Sequence, residues 1–181
     1  MNELIAKIEQ WANDRNIIKG SKPIDQAMKL FSEFGELSDH VGDNELSKIP
    51  DDIGDIFVVL TIMAKQYGYP VSIHNSWDTR IIYELSVKSK KEMIVLLGVF
   101  LSNVSLSITG AIKYLAAALT VLQFIAMEHN YTLEECVQIA YDDIKDRKGV
   151  LIDGVFIKES NPAYAKAIKS LEENFSVETP E

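Results

Sequence analysis

Cysteine occurs once, at position 136, histidine three times, and no stretch of about twenty residues is uniformly apolar. Each scarcity closes off a class of protein. A lone Cys136 cannot form an internal disulfide, and the opening MNELIAKIEQWANDRN is amphipathic, without the apolar core of a signal peptide. A cytoplasmic protein is expected on both grounds. His40, His74 and His129 are scattered without ligand spacing, so a zinc site is not expected. Basic residues are also in deficit, since 18 Lys and Arg against 27 Asp and Glu leave a formal net charge of −9. Nucleic-acid grooves recruit an excess of Lys and Arg, which removes nucleic acid from the expected partners. A triphosphate stays open to an acidic protein if a divalent cation stands between the two. The most apolar stretch, Met93 to Met127, is broken by Asn103, several serines, Gly110 and Lys113. It reads as two buried helices rather than a membrane span, and no membrane partner is expected.

What is present is a chain of 181 residues, 47% hydrophobic, enough for one well-buried domain and too little for two ordinary ones. Residues 1–181 are therefore expected to form a single all-α unit. Leu4, Ile5, Ile8, Trp11 and Ala12 recur at helical spacing from Glu3 to Asp14. Asn16 to Pro23 reads as a loop, with Ser21 as a cap and Pro23 in the first turn of a helix running to about Val41. Its expected apolar face is Ala27, Leu30, Phe31, Phe34 and Leu37. A third helix runs from near Pro50 to Tyr67 with Ile53, Ile56, Phe57, Leu60 and Ala64 inward, closed by Gly68. Trp77 to Leu85 gives no clear pattern. Further helices are predicted over about Lys90 to Ser105, Ile108 to His129 and Leu133 to Arg147, where Thr132 and Glu135 have capping-box spacing. Gly149 to Lys158 alternates around Asp153-Gly154 as a small hairpin, and the polar tail after Phe175 is expected to fray.

A diluted repeat joins the two halves. VVLTIMAKQYGY in the third helix and TVLQFIAMEHNY in the long later one match at Val59, Leu60, Ala64 and Tyr69 against Val121, Leu122, Ala126 and Tyr131, a constant offset of 62. Upstream, FSEFGELSD and VLLGVFLSN align with a gap of two residues. Either two helical hairpins arose by duplication, with a first half over about residues 1–70 and a degenerate copy over about 90–148, or two apolar helices resemble each other by chance.

The chemistry concentrates in SEFGELSD, from Ser32 to Asp39, and DDIGD, from Asp51 to Asp55. Glu33 and Glu36 are three apart on one helix and Asp52 and Asp55 three apart on the next, so each pair shares a helix face. Two antiparallel helices can converge such carboxylates on a hard cation, which takes oxygen ligands and keeps waters that a phosphate can replace. Without a cation, four facing carboxylates would raise one another's pKa. Acids are also common on solvated helix faces. Here Phe34, Leu37, Ile53, Ile56 and Phe57 set both pairs beside an apolar face, where unpaired acids are costly. Asp51 and Asp55, four apart, share a face as well, and spacing leaves Asp51 and Asp52 as alternatives.

Glu33-x-x-Glu36 followed after a gap by Asp52-x-x-Asp55, together with Lys29-Leu30, Phe34-Gly35, Leu37 and Gly54, resembles the MazG-type all-α nucleoside triphosphate pyrophosphohydrolases, a class that includes the dimeric dUTPases. WANDRNIIKGS before these motifs and TLEECVQIAYDDIKDRKGVLIDGVFIKE after them are similar to small phage and bacterial members. The likeness covers Leu4 to Tyr69 and Thr132 to Glu159; Pro70 to Lys113 matches nothing. Two departures are Ser32, where an acid often precedes the first metal glutamate, and the shorter Asp52 in place of a glutamate. The family register favours Asp52 over Asp51.

The resemblance implies hydrolysis of an NTP or dNTP between the α and β phosphates, dependent on Mg²⁺ with Mn²⁺ as substitute, at a metal held by Glu33, Glu36, Asp52 and Asp55. Glu36, with Glu33, is the expected proton acceptor from water. Lys29 and the cluster Lys145, Arg147 and Lys148 would face the phosphates, although such a cluster also suits any helix C-terminus. Trp11 either stacks on a base or belongs to the core. In the second half Leu97, Phe100, Tyr114 and Ala117 replace the four acids, so that copy is expected to pack and not to bind metal. A homo-oligomer is compatible with the resemblance. Two other readings share the motifs, a catalytically inactive MazG-like nucleotide- or partner-binding protein and a helical interaction module.

Overall fold

The computed structural model describes residues 1–71, 83–106, 111–152 and 154–169. The chain is all-α with one small C-terminal hairpin. Helices α1 (Asn2–Asp14), α2 (Ile17–Gly20), α3 (Pro23–Asp43), α4 (Ile49–Tyr67), α5 (Lys90–Leu106), α6 (Ala111–Glu128) and α7 (Leu133–Ile144) precede strands β1 (Gly149–Ile152) and β2 (Val155–Lys158). Residues 83–85 and 164–169 are also helical. Most of Trp77 to Leu85, the start of α6 expected at Ile108, Asp153 of the hairpin turn and the tail after Phe175 lie outside the described residues.

α4 forms the centre because it is apolar on nearly every side. Ile53, Ile56, Phe57, Leu60 and Met63 are wholly buried, each burial contributing about 1.5–3 kcal/mol. α1, α2, α3, α6 and α7 all pack on it. Gly68 closes it at φ 74°, a left-handed cap in which its N–H reaches the carbonyl of Lys65 at 3.1 Å. Helix α3 packs on α4 and α5 on α6, and the two pairs meet through α3 with α5 and α4 with α6. α6 is, among the described residues, the one helix long and apolar enough to cross a membrane by length and composition. Its Leu115, Ala118, Val121, Leu122, Ile125 and Ala126 are buried against the other helices.

Several local expectations change. Asn16 to Pro23 is not a plain loop, because burial of Ile17 tightens it into the single turn α2, entered through Asn16 at φ 56°. Ser21 does not cap α3. The Lys22 N–H donates to Asp25 Oδ2 at 2.8 Å at the helix start, while buried Ser21 donates to the Ile17 carbonyl at 2.7 Å and accepts from Gln26 and Gln66 at 2.9 and 3.0 Å. Phe31 is 41% exposed, outside the apolar face assigned to it. α7 begins with the expected capping box, Glu135 N–H donating to Thr132 Oγ1 at 3.2 Å and Thr132 N–H to Glu135 Oε2 at 2.7 Å. It stops at Ile144 rather than Arg147. There α1 takes over its free carbonyls, with Trp11 Nε1 donating to Ile144 at 2.8 Å and the Arg15 guanidinium to Lys145 at 3.2 Å and Arg147 at 2.6 Å.

β1 and β2 pair antiparallel from Gly149 opposite Lys158 to Ile152 opposite Val155, with Gly154 at φ 76° in the turn. The hairpin is tied to α1 and α2. Leu151 N–H donates to the Arg15 carbonyl, and Asn16 Nδ2 donates to the Leu151 carbonyl, both at 2.9 Å.

Candidate functional site

Helices α3 and α4, joined by Asn44–Lys48, run antiparallel, so that residues descending one helix meet residues ascending the other. The ladder is visible in side chains. Glu36 and Asp52 stand at one level, Glu33 and Asp55 at the next, and further along Gln66 Nε2 donates to Ser21 Oγ. Glu33 is 5% exposed and pairs with Lys29 one turn back, while Asp52 is 6% exposed and Glu36 lies in solvent.

Burial and the negative charges of Glu33 and Asp51 push the Asp55 carboxyl up to about 7, against the opposing pull of Lys29 and Arg147. Asp51 is raised by burial and then by Asp143, with Arg147 opposing. Asp52 takes a different environment. His40 Nδ1 lies 2.6 Å from its Oδ2, and this bond, which raises the His40 pKa, only partly offsets the burial that raises Asp52. The alternatives Asp51 and Asp52 thus separate by partner, Asp51 toward Glu33, Asp143 and Arg147, Asp52 toward His40 and Glu36.

Gly54 explains how α7 comes so near. A Cβ at this position would lie 2.2 Å from the Cys136 carbonyl oxygen and 2.7 Å from Ala140 Cβ, so only glycine allows this crossing. The crossing brings the end of α7, with Asp143 and Arg147, to the acids of α4.

Glu33, Asp55 and Lys29 open into a cavity of about 970 Å³ between α1, α3, α4, the end of α7 and the hairpin. Arg147, Lys148 and Lys158 also line it, and Ile17, Val59, Ile62 and Leu151 supply apolar wall. Among the described residues no three His, Cys, Asp or Glu side chains are near enough to form a ready-made cation cage. The donor chemistry nevertheless fits Mg²⁺, which is held by one or two carboxylates with waters and substrate phosphates completing the shell. Asp55 and Glu33 would serve as such a pair, since the Asp55 carboxyl, raised first by burial and then by the charges of Glu33 and Asp51, is one whose ionised form a divalent cation would stabilise.

No protein-family model matches the chain. No solved structure matches it either. A curated relative is an uncharacterised 18.2-kDa protein of Haemophilus phage HP1, from the rep-hol intergenic region, 52% identical over 66 residues. That stretch is 36% of this chain and 40% of the phage protein, so the match spans about two fifths of the relative.

Of the residues singled out from sequence, Glu33, Asp55, Lys29, Arg147, Lys148 and Trp11 line the cavity. Glu36 and Asp52 are on the next level of the ladder, outside that lining. Lys145 is apart from it, bound to Asp142 at 2.6 Å in a neighbouring cleft with Arg15 and Tyr141. Trp11 is partly buried, anchored through Nε1 and covered by the Arg15 guanidinium 4.8 Å from its ring centre. In the second half, Leu97 and Ala117 are buried and Phe100 and Tyr114 pack on the core. Sequence reasoning passed over Gln26, 6% exposed and in the cavity wall, and Phe156 and Lys158 of the hairpin. Gln26 was accessible in principle, standing three residues before Lys29 and seven before Glu33 on one helical stripe.

Proposed function

We propose that this protein is a MazG-like, Mg²⁺-dependent nucleoside triphosphate pyrophosphohydrolase that releases a nucleoside monophosphate and pyrophosphate. The observation that carries the reading is the opposition of buried Glu33 and raised-pKa Asp55 in one cavity wall, with Lys29, Arg147 and Lys148 around the same space. Bound Mg²⁺ would supply charge neutralisation for phosphate oxygens. The chain's own residues do the rest. Glu33 and Asp55 are the oxygen ligands, and Arg147, with its planar fork of donors, and Lys148 hold the phosphates. Of the two acids named for proton transfer, Glu33 has the cavity position and Glu36 the exposed one. In the reaction a water oxygen bonds to phosphorus, the bridging α–β oxygen leaves with the electron pair, and the water proton passes to a carboxylate.

Within this reading the second hairpin is a degenerate copy that provides packing. The apolar Leu97, Phe100, Tyr114 and Ala117 at the acid positions support it, as do the contacts of α3 with α5 and α4 with α6. A second reading, an inactive nucleotide-binding protein, is favoured by the bond from His40 that occupies Asp52. Pyrophosphate release from a panel of NTPs and dNTPs, with MgCl₂ and with EDTA, tests both. The hydrolase reading expects Mg²⁺-dependent release that Glu33→Gln abolishes. Binding of nucleotide without release by the wild type would establish the second reading instead.

A further inference from the structure

On α3, Gln26, Lys29 and Glu33 are spaced i, i+3 and i+7, one stripe that lines the cavity. Seven residues of helix span about 10 Å, comparable to the reach of a nucleotide from base to α-phosphate. Across the cavity the antiparallel ladder that sets Glu33 against Asp55 brings Gln26 to the level of Ile62, seven residues beyond Asp55, and Ile62 with Val59 is in the wall. Lys29, Glu33, Asp55 and Arg147 gather at the Glu33 end, and Asp25, next to Gln26, with Lys158 of the hairpin and Glu159 beyond it carries charge elsewhere in the lining. At the Gln26 end, beside Asp25, Ile17 of α2, Ile62 and Leu151 supply apolar wall, and the Leu151 carbonyl is pinned by Asn16.

Gln26 is a buried carboxamide at that end. One N–H is fixed on Ser21 Oγ at 2.9 Å. Ser21 is itself held by donation to the Ile17 carbonyl and by Gln66 Nε2 at 3.0 Å. The relay locks the plane of the amide. Its carbonyl oxygen and second N–H make no hydrogen bond among the described residues. Among the described residues the amide oxygen buried without a partner is Gln66 Oε1, whereas the Gln26 carbonyl is not sealed from the cavity it lines, where a ligand edge with one donor beside one acceptor can meet it. Every nucleobase carries such an edge, and a locked amide accepts only one order of donor and acceptor along it.

We propose that Gln26 is the base-reading residue of this site, with Ser21 and Gln66 as positioning residues that fix its orientation. The inference rests on the nucleotide reading above and adds which end of the cavity holds the base and which side chain selects it. A direct amide-to-base pair commonly discriminates by about 1–3 kcal/mol, about 5- to 150-fold.

The test measures kcat/KM and, separately, Mg²⁺-nucleotide affinity by calorimetry for the adenine, guanine, cytosine, uracil and thymine dNTPs. Wild type, Gln26→Met, Gln26→Glu and Ser21→Ala are compared, with thermal melting to check folding. The expected result is a base preference in the wild type that falls at least fivefold in Gln26→Met. Gln26→Glu, which keeps shape and loses the donor, should reorder the bases. Ser21→Ala should blunt the preference while Gln26 remains, and Ser21→Thr should restore it. Folded Gln26 variants whose losses are equal for all bases overturn the proposal while leaving hydrolysis intact. A wild type that binds nucleotides with Gln26-dependent preference but releases no pyrophosphate removes the hydrolase reading and keeps the base reader. Absence of both binding and turnover removes the two together.

Discussion

Replacing Asp55 by Asn keeps the shape of the side chain and deletes its charge, at the position where charge is most constrained. Burial beside Glu33 and Asp51 raises this carboxyl from its ordinary 3.8 to about 7. A folded-state pKa above the unfolded one means that the folded protein binds the proton more tightly. The contribution of Asp55 to stability is therefore fully present below about pH 4, is lost as the pH rises through about 7, and stays absent above it. At about 1.4 kcal/mol per factor of ten in proton affinity, a rise of about three pH units sets an upper bound near ~4 kcal/mol. Asp55 is only partly buried, and solvent screening brings the effect to about 1–2 kcal/mol. In metal-free buffer at pH 8, Asp55→Asn should melt about 2–8 °C above the wild type, and the gain should vanish at pH 4. Adding MgCl₂ should raise the wild-type melting temperature and leave the variant unmoved, because ligand binding to the folded state stabilises by mass action. Scanning calorimetry at the two pH values, with EDTA and with Mg²⁺, reads all four arms. An Asn variant less stable than the wild type at pH 8 would refute the electrostatic argument, and a full Mg²⁺ response in that variant would refute the metal assignment.

Glu33→Gln should lower Mg²⁺-dependent pyrophosphate release at least about 100-fold with the circular dichroism spectrum unchanged; near-normal turnover at saturating Mg²⁺ would contradict its role. Gly54→Ala forces a methyl onto the Cys136 carbonyl oxygen, which backbone cannot yield without parting α4 from α7. A loss of about 3 kcal/mol in urea unfolding, or failure to fold, is expected. Cys136 is fully buried with its thiol pushed up to about 12. Thiol reagents should leave it untouched at pH 8 until denaturant is added, and rapid labelling of the native protein would show α7 lifted from α4.

Much of the helical layout was written locally. α1, α3 and α4 followed from apolar spacing, α7 from its Thr132–Glu135 box and the hairpin from alternation around a glycine, because caps, turns and periodicity act over a few residues. The acids were equally visible as two spaced pairs. Which of them share a space was not. Spacing of three or four treats Asp51 and Asp52 alike, and only the packing of α4 between α3 and α7 turned Asp51 toward Arg147 and Asp52 toward His40. Lys145 and Arg147 are two residues apart, yet the helix end gripped by Trp11 and Arg15 sent Arg147 to the cavity and Lys145 to another cleft. Phe31, 41% exposed, shows the same limit, because helical spacing alone placed it on the apolar face of α3 and packing left it at the surface. Gln26 became a candidate only when α2, α4 and the hairpin formed the cavity around it, since burial of an amide is a property of what surrounds it and not of its spacing in the chain.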